Sequence, residues 1–369
     1  MPTGRSPNGE LILNAGLRSQ LRQLIAVGPH RGEHTVAIRA ALSVAVPLLV
    51  LLGIGHIEWS LYATFGAFTA LYGRTSPLRP RLRMQAFAGL TLTVSVLLGV
   101  LIGISPYRSW LLIPVAAVWA TFIALIAHRR HWHPPGPLFP VFALGACASV
   151  PATWTDVPIA LTVVVSSALF AIGLTALVSL LGRSGLIRKL IKAGPRPTPA
   201  RPKPAGSQQR LIEWRLRHYP IRYAISVAIA GLIATSIGFI GHPYWAMVAA
   251  VVPMAAPDQG ARLLRAAQRL IGTVIGVVIA GAILALDLPS LLVILIAALL
   301  QAGAELTVGR NYGLALLFIT PLALSMTQLA HPLPIGELVR DRTVETFIGV
   351  AVAVIITLLT RERRQDAEG

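Results

Sequence analysis

The sequence predicts an all-α polytopic membrane protein, with about twelve transmembrane helices arranged as two parallel six-helix repeats. Three observations lead to this class. Of 369 residues, 55% are hydrophobic and only 12% are charged, and mean hydropathy is +0.70, which leaves too little polar surface to coat a soluble domain. Apolar stretches recur along the whole chain, at 36–55, 58–73, 84–104, 108–127, 137–152 and 157–181, then at 221–240, 243–256, 268–286, 289–305, 311–330 and 340–360. Finally, the two sets begin alike. AIRAALSVAV from Ala37 matches PIRYAISVAI from Pro220, GHIEW with His56 and Trp59 matches GHPYW with His242 and Trp245, and Arg79 and Arg83 recur as Arg265 and Arg269. An even number of spans in each set keeps the repeats parallel, related by an axis along the membrane normal.

Residues 1–35 read as a cytoplasmic segment in which Leu17, Leu21, Leu24 and Ile25 share one helical face beside Arg18 and Arg22, the pattern of a helix lying in the interface. No cleavable signal peptide is expected, because this stretch lacks an uninterrupted apolar core. The first membrane repeat, 36–183, follows. Residues 184–219 form a basic cytoplasmic linker: KAGPRPTPARPKPAGSQ at 192–208 is proline-rich and extended, and QQRLIEWRLRHYP at 208–220 is a second interfacial helix. The second membrane repeat spans 220–361, and 362–369 is a cytoplasmic tail.

The formal charge of +18 fits a membrane orientation rather than a nucleic-acid partner. With both termini cytoplasmic, every Lys and Arg except Arg108, Arg340 and Arg342 lies on the cytoplasmic side, as the positive-inside bias requires, next to anionic lipid. Cys147, the lone cysteine, makes no intrachain disulfide. The chain carries no GxxxxGKS/T phosphate loop and no nucleophile-elbow or metal-protease spacing, so neither an enzyme nor a cofactor is expected. His128, His131 and His133 have a spacing that suits a metal, but Arg129 and Arg130 lie between them and repel a cation, so no metal site is expected.

The chain is organised around residues 241–281. There a short apolar run bounded by Tyr244 and Trp245 is broken by Pro253 and Pro257, and Asp258 caps the next helix. Arg262, Arg265 and Arg269 follow on one face of that helix, ahead of a GxxxG at Gly272 and Gly276 that admits close packing.

This stretch resembles the fusaric acid resistance protein-like family, inner-membrane proteins related to aromatic acid exporters. RxxGTxxG from Arg269 to Gly276, RxxETxxG from Arg342 to Gly349, and RNYGLALLFITPL at 310–322 carry the likeness, which covers most of residues 220–360. Family members often hold a large cytoplasmic domain between two membrane halves; here only the short linker occupies that place. The resemblance implies export of small aromatic or other organic anions, driven by an ion gradient, across a bacterial inner membrane, with homo-oligomer formation left open. The alternatives are an anion channel similar to the aluminium-activated malate transporters, and a non-transporting partner in envelope maintenance. The substrate-binding set it implies is Arg265, Arg269 and Thr273, with Arg310 and Tyr312, while Gly272, Gly276 and Gly349 serve helix packing.

Ionisable groups inside spans are costly and therefore functional candidates. Glu305 follows Gln301 by one turn, has Arg310 nearby in sequence as a partner, and is the expected coupling carboxylate. Arg39 and Arg222 are expected to snorkel to headgroups. Arg342 and Glu345 are expected to form a structural i, i+3 pair near the outer end of the last span. His56 and His242, with Trp59 and Trp245, are expected to anchor at the outer interface.

Overall fold

The structure, a computed structural model, describes residues 24–29, 33–181, 206–238 and 241–360. Its α-helices fall one on each predicted apolar stretch: α1 (His34–Gly53), α2 (Ser60–Ala67), α3 (Leu78–Gly103), α4 (Arg108–Arg129), α5 (Leu138–Ser149) and α6 (Asp156–Leu181), then α7 (Gly206–Ser236), α8 (Tyr244–Met254), α9 (Gln259–Leu284), α10 (Ser290–Thr307), α11 (Tyr312–Ala330) and α12 (Ile335–Leu359). The described residues contain no strand.

Among the described residues, eight helices, α1, α3, α4, α6 and α9 to α12, are long and apolar enough to cross a membrane. Three of the predicted spans instead fold as half-length helices: α2, α5 and α8 have 8, 12 and 11 residues, against about 20 for a crossing. Local chemistry shortens them. α2 passes into a 3-10 turn at Phe68–Leu71, and Gly73 at φ +67 then turns the chain through a backbone conformation that L side chains disfavour. Pro137 and Pro151 bracket α5, while Pro243 and Pro257 bracket α8, and proline disfavours helix on its N-terminal side. The interfacial helix expected at 208–220 is continuous with the following span, so α7 runs 31 residues through Pro220. The rest of the linker, the tail and most of the expected N-terminal interfacial helix lie outside the described residues.

The helices sort into an outer and an inner set. Exposed large apolar side chains stud the outer ones, such as Ile38 on α1, Val118 on α4, Leu169 on α6, Val278 on α9, Leu299 on α10 and Phe347 on α12. That is the surface lipid solvates. Among the described residues, α2, α5, α8 and α11 contribute no exposed large apolar side chain, and every residue of α8 is buried. Broken helices are tolerated at membrane depth when protein covers them or they line a cavity, which is the place these helices occupy.

Packing joins the halves chiefly where α1 meets α10 and α4 meets α7, with α5 against α8 and α2 against α11 at the centre. Within the halves, α2 packs on α6 and α8 on α12, while α3 packs on α5 and α9 on α11. The last contact needs the GxxxG, since a Cβ added at Gly272 or Gly276 would lie 2.5 Å from the Gly313 carbonyl oxygen or 2.7 Å from that of Leu316. Gly349 of α12 likewise abuts the Ala246 carbonyl of α8.

Candidate functional site

The inner helices enclose a cavity of about 250 Å³ between the two halves. Its walls differ in chemistry. The first half supplies Phe65 from α2, Phe68 from the 3-10 turn that follows it, and Phe139 and Phe142 from α5, in edge-to-face contact at centroid distances of 5.1 to 5.8 Å. Trp245 of α8 extends this aromatic wall, 4.9 Å from Phe142. The second half supplies cations: Arg265 and Arg269 from α9 and Arg342 from α12.

α9 aims its cations by helical register, with Asp258 capping its first turn through the Ala261 amide at 2.8 Å. Arg262 turns back to the Ala256 carbonyl at 3.2 Å, while Arg265 and Arg269, three and seven residues on, face the cavity. Tyr312 at the start of α11 meets both: Arg269 Nη1 donates to its hydroxyl at 2.9 Å, and Arg265 Cζ lies 5.6 Å from its ring centroid. Arg269 is 2% exposed, and its Nε and Nη2 have no partner. Those two atoms form the side-on fork that binds a carboxylate through two parallel hydrogen bonds.

Arg342 is 1% exposed, its Cζ sits 3.7 Å from the Trp245 ring centroid, and its Nε and Nη1 also lack partners. Two buried guanidinium groups with unused donors therefore face one aromatic-walled space. A buried donor without a partner is costly, and an anion in the cavity would satisfy both.

At another point on the wall, Arg74 Nη1 meets Glu305 Oε2 at 3.1 Å, one turn past the lining residue Gln301. This corrects the partner expected for Glu305. Arg310 instead donates from Nε to the Gly28 carbonyl at 2.9 Å, while Asn311 Nδ2 holds the carbonyls of Leu24 and Ala26. Of the expected substrate-binding residues, Arg265, Arg269 and Tyr312 line the cavity together with Glu305. Arg310 and Thr273 are not on its wall, although Thr273 is buried on α9.

Other expectations are revised. Arg39 does not reach headgroups: it is 2% exposed and points Nη2 at the Ala70 carbonyl, 3.4 Å away. Arg222 donates to the Thr360 carbonyl at 3.1 Å. Arg342 and Glu345 form no ion pair, and neither carboxyl oxygen of Glu345 has a partner. His56 stacks on Trp59 at 4.1 Å in an exposed position, but its counterparts are inside the protein, with Trp245 on the cavity wall. His242, in the connection before α8, lies 3.5 Å from Asp341, and burial pushes its imidazole below the usual range against the opposing pull of that carboxylate. Arg79 and Arg83 recur in sequence as Arg265 and Arg269 but are exposed, so these two positions face the cavity only in the second half, while the first half's turn contributes Arg74 instead.

Residues 227–356 match the family described as fusaric acid resistance protein-like. The chain is 33% identical over 144 residues to the uncharacterized membrane protein YvaC of Bacillus subtilis, covering 39% of this chain and 23% of that one. It is 28% identical over 160 residues to the p-hydroxybenzoic acid efflux pump subunit AaeB of Enterobacter cloacae, covering 39% and 24%. The AaeB of Citrobacter koseri is 28% identical over 165 residues, covering 40% and 25%. The chain thus spans about a quarter of the length of the curated relatives it matches. No solved structure gives a significant match.

Proposed function

We propose, from the match of residues 227–356 to the fusaric acid resistance protein-like family, that the chain is a member of that family and a membrane transporter of small aromatic carboxylates that bind in the cavity between its halves. One observation carries the reading: the unpartnered guanidinium nitrogens of Arg269 and Arg342 sit opposite a wall built from Phe65, Phe142 and Trp245. Cations fix a carboxylate, apolar rings take up a planar ring, and neither wall alone would select an aromatic acid. The likeness to subunits named for p-hydroxybenzoic acid efflux favours the same chemistry and the outward direction.

Ion coupling is assigned to Glu305. It is buried, lines the cavity and faces a cation of the opposite half, so a change in its protonation acts on the contact between the halves. The halves themselves are read as parallel repeats. Corresponding helices pack alike in each, and α2 with α5 corresponds to α8 with α11 as the inner set. The direct test is uptake of p-hydroxybenzoate by liposomes holding the purified protein. Saturable uptake that Arg269→Ala abolishes supports the reading; uptake indifferent to Arg269 and Arg342 overturns it.

A further inference from the structure

Glu345 lies one turn past Arg342 on α12, is 0% exposed, and neither of its carboxyl oxygens meets a donor. The charged and titratable groups that bear on it are Asp341 and Arg342 of its own helix and Tyr244 of α8. Asp341 is already engaged: Arg340 donates to its Oδ1 from Nε and Nη2 at 3.1 and 2.9 Å, and the Gly241 amide donates to its Oδ2 at 2.9 Å. Arg342 is the neighbouring cation with donors to spare. Residues three apart on a helix are surface neighbours, so a change in the Arg342 side-chain torsions brings guanidinium to carboxylate without moving the backbone.

We propose that Glu345 is the resident counter-ion of Arg342, competing with the transported anion for the same guanidinium. Arg342 then has two positions. In the one seen here it lies on the Trp245 ring at the cavity wall, where it serves an anion. In the other it turns back onto Glu345, which relieves the cost of leaving the buried Glu345 oxygens and the Arg342 Nε and Nη1 donors unpaired one turn apart. Anion capture draws Arg342 off Glu345, and the carboxylate draws it back, which hastens release. This inference rests on reading the cavity as the anion site.

The test is calorimetric titration of benzoate into full-length wild type, Glu345→Gln and Glu345→Asp, together with benzoate flux from liposomes. With the internal competitor neutralised, Glu345→Gln should bind benzoate at least about fivefold more tightly while its turnover falls. Glu345→Asp, which keeps the charge, should stay closer to wild type. In an Arg342→Ala background, Glu345→Gln should leave affinity unchanged. A carboxylate that merely supports the fold would not raise affinity when neutralised. Unchanged or weaker binding by Glu345→Gln, or failure of both Glu345 variants to fold, would overturn the proposal and leave the cavity reading standing. Absence of benzoate binding by wild type would remove the cavity reading, and this inference with it.

Discussion

Arg74, in the turn after α2, and Glu305, near the end of α10, meet at 3.1 Å and tie the two halves of the chain together across the cavity wall. Their side chains are 20% and 6% exposed, so the carboxylate is the more desolvated partner. Arg74→Ala strands it, at an expected cost of about 2–3 kcal/mol, less than for a fully buried pair because the arginine is partly solvated. The double variant Arg74→Ala/Glu305→Gln should recover part of that loss. Thermal unfolding of the singles and the double in detergent measures the coupling, and strictly additive losses would show that the contact contributes nothing.

A coupling role for Glu305 predicts a split phenotype. Glu305→Gln keeps the shape and one hydrogen-bonding edge, so substrate binding should survive while accumulation against a gradient is lost. Inverted vesicles with and without an imposed pH gradient measure this. Equal stimulation by the gradient in wild type and Glu305→Gln would rule the residue out as the coupling site.

Close helix packing makes a prediction with its own control. At Gly276 the α11 backbone and the Thr320 side chain leave no room for a Cβ, whereas at Gly173 on α6 nothing lies within 4 Å. Gly276→Leu should therefore lose most of the folded protein in detergent. Gly173→Ala should be neutral or stabilise by about 0.5–1 kcal/mol, the helix propensity gained. Yield and elution profile report both, and a normal profile for Gly276→Leu would mean that α9 and α11 do not pack as described.

The apolar stretches were legible because hydropathy needs no tertiary context. Arg269 was legible because it closes a basic stripe that leads into a glycine-rich span. Trp245 and Arg342 were not, because a span of uniform length puts both near its outer end. α8 is a half-length helix, so Trp245 reaches the interior, and Arg342 lies two turns into α12 on the face turned to Trp245. The prolines around α8 were the available signal. Arg74 sits in a polar turn, where a cation that pairs with Glu305 cannot be told from one that only orients the chain.

Trp245 supplies both a ring of the aromatic cavity wall and a face for Arg342. Trp245→Phe should keep most anion affinity, since a smaller ring still faces the guanidinium. Trp245→Ala should lose roughly 1–2 kcal/mol of it, about five- to thirtyfold in Kd. Titration of benzoate distinguishes them, and equal affinity in all three proteins would exclude the ring from the site.

In the proposed site Arg269 and Arg342 bind a carboxylate while the aromatic wall takes its ring. The most direct test is calorimetric titration of purified wild type and the Arg269→Ala/Arg342→Ala double variant with benzoate and with benzyl alcohol, which offers the ring without the charge. Each arginine should contribute about 1.5–3 kcal/mol through charged hydrogen bonds, so wild type should bind benzoate well above benzyl alcohol, and the folded double variant should bind neither measurably. Benzyl alcohol bound by wild type as tightly as benzoate, or benzoate bound equally by both proteins, would show that the two arginines do not hold the carboxylate.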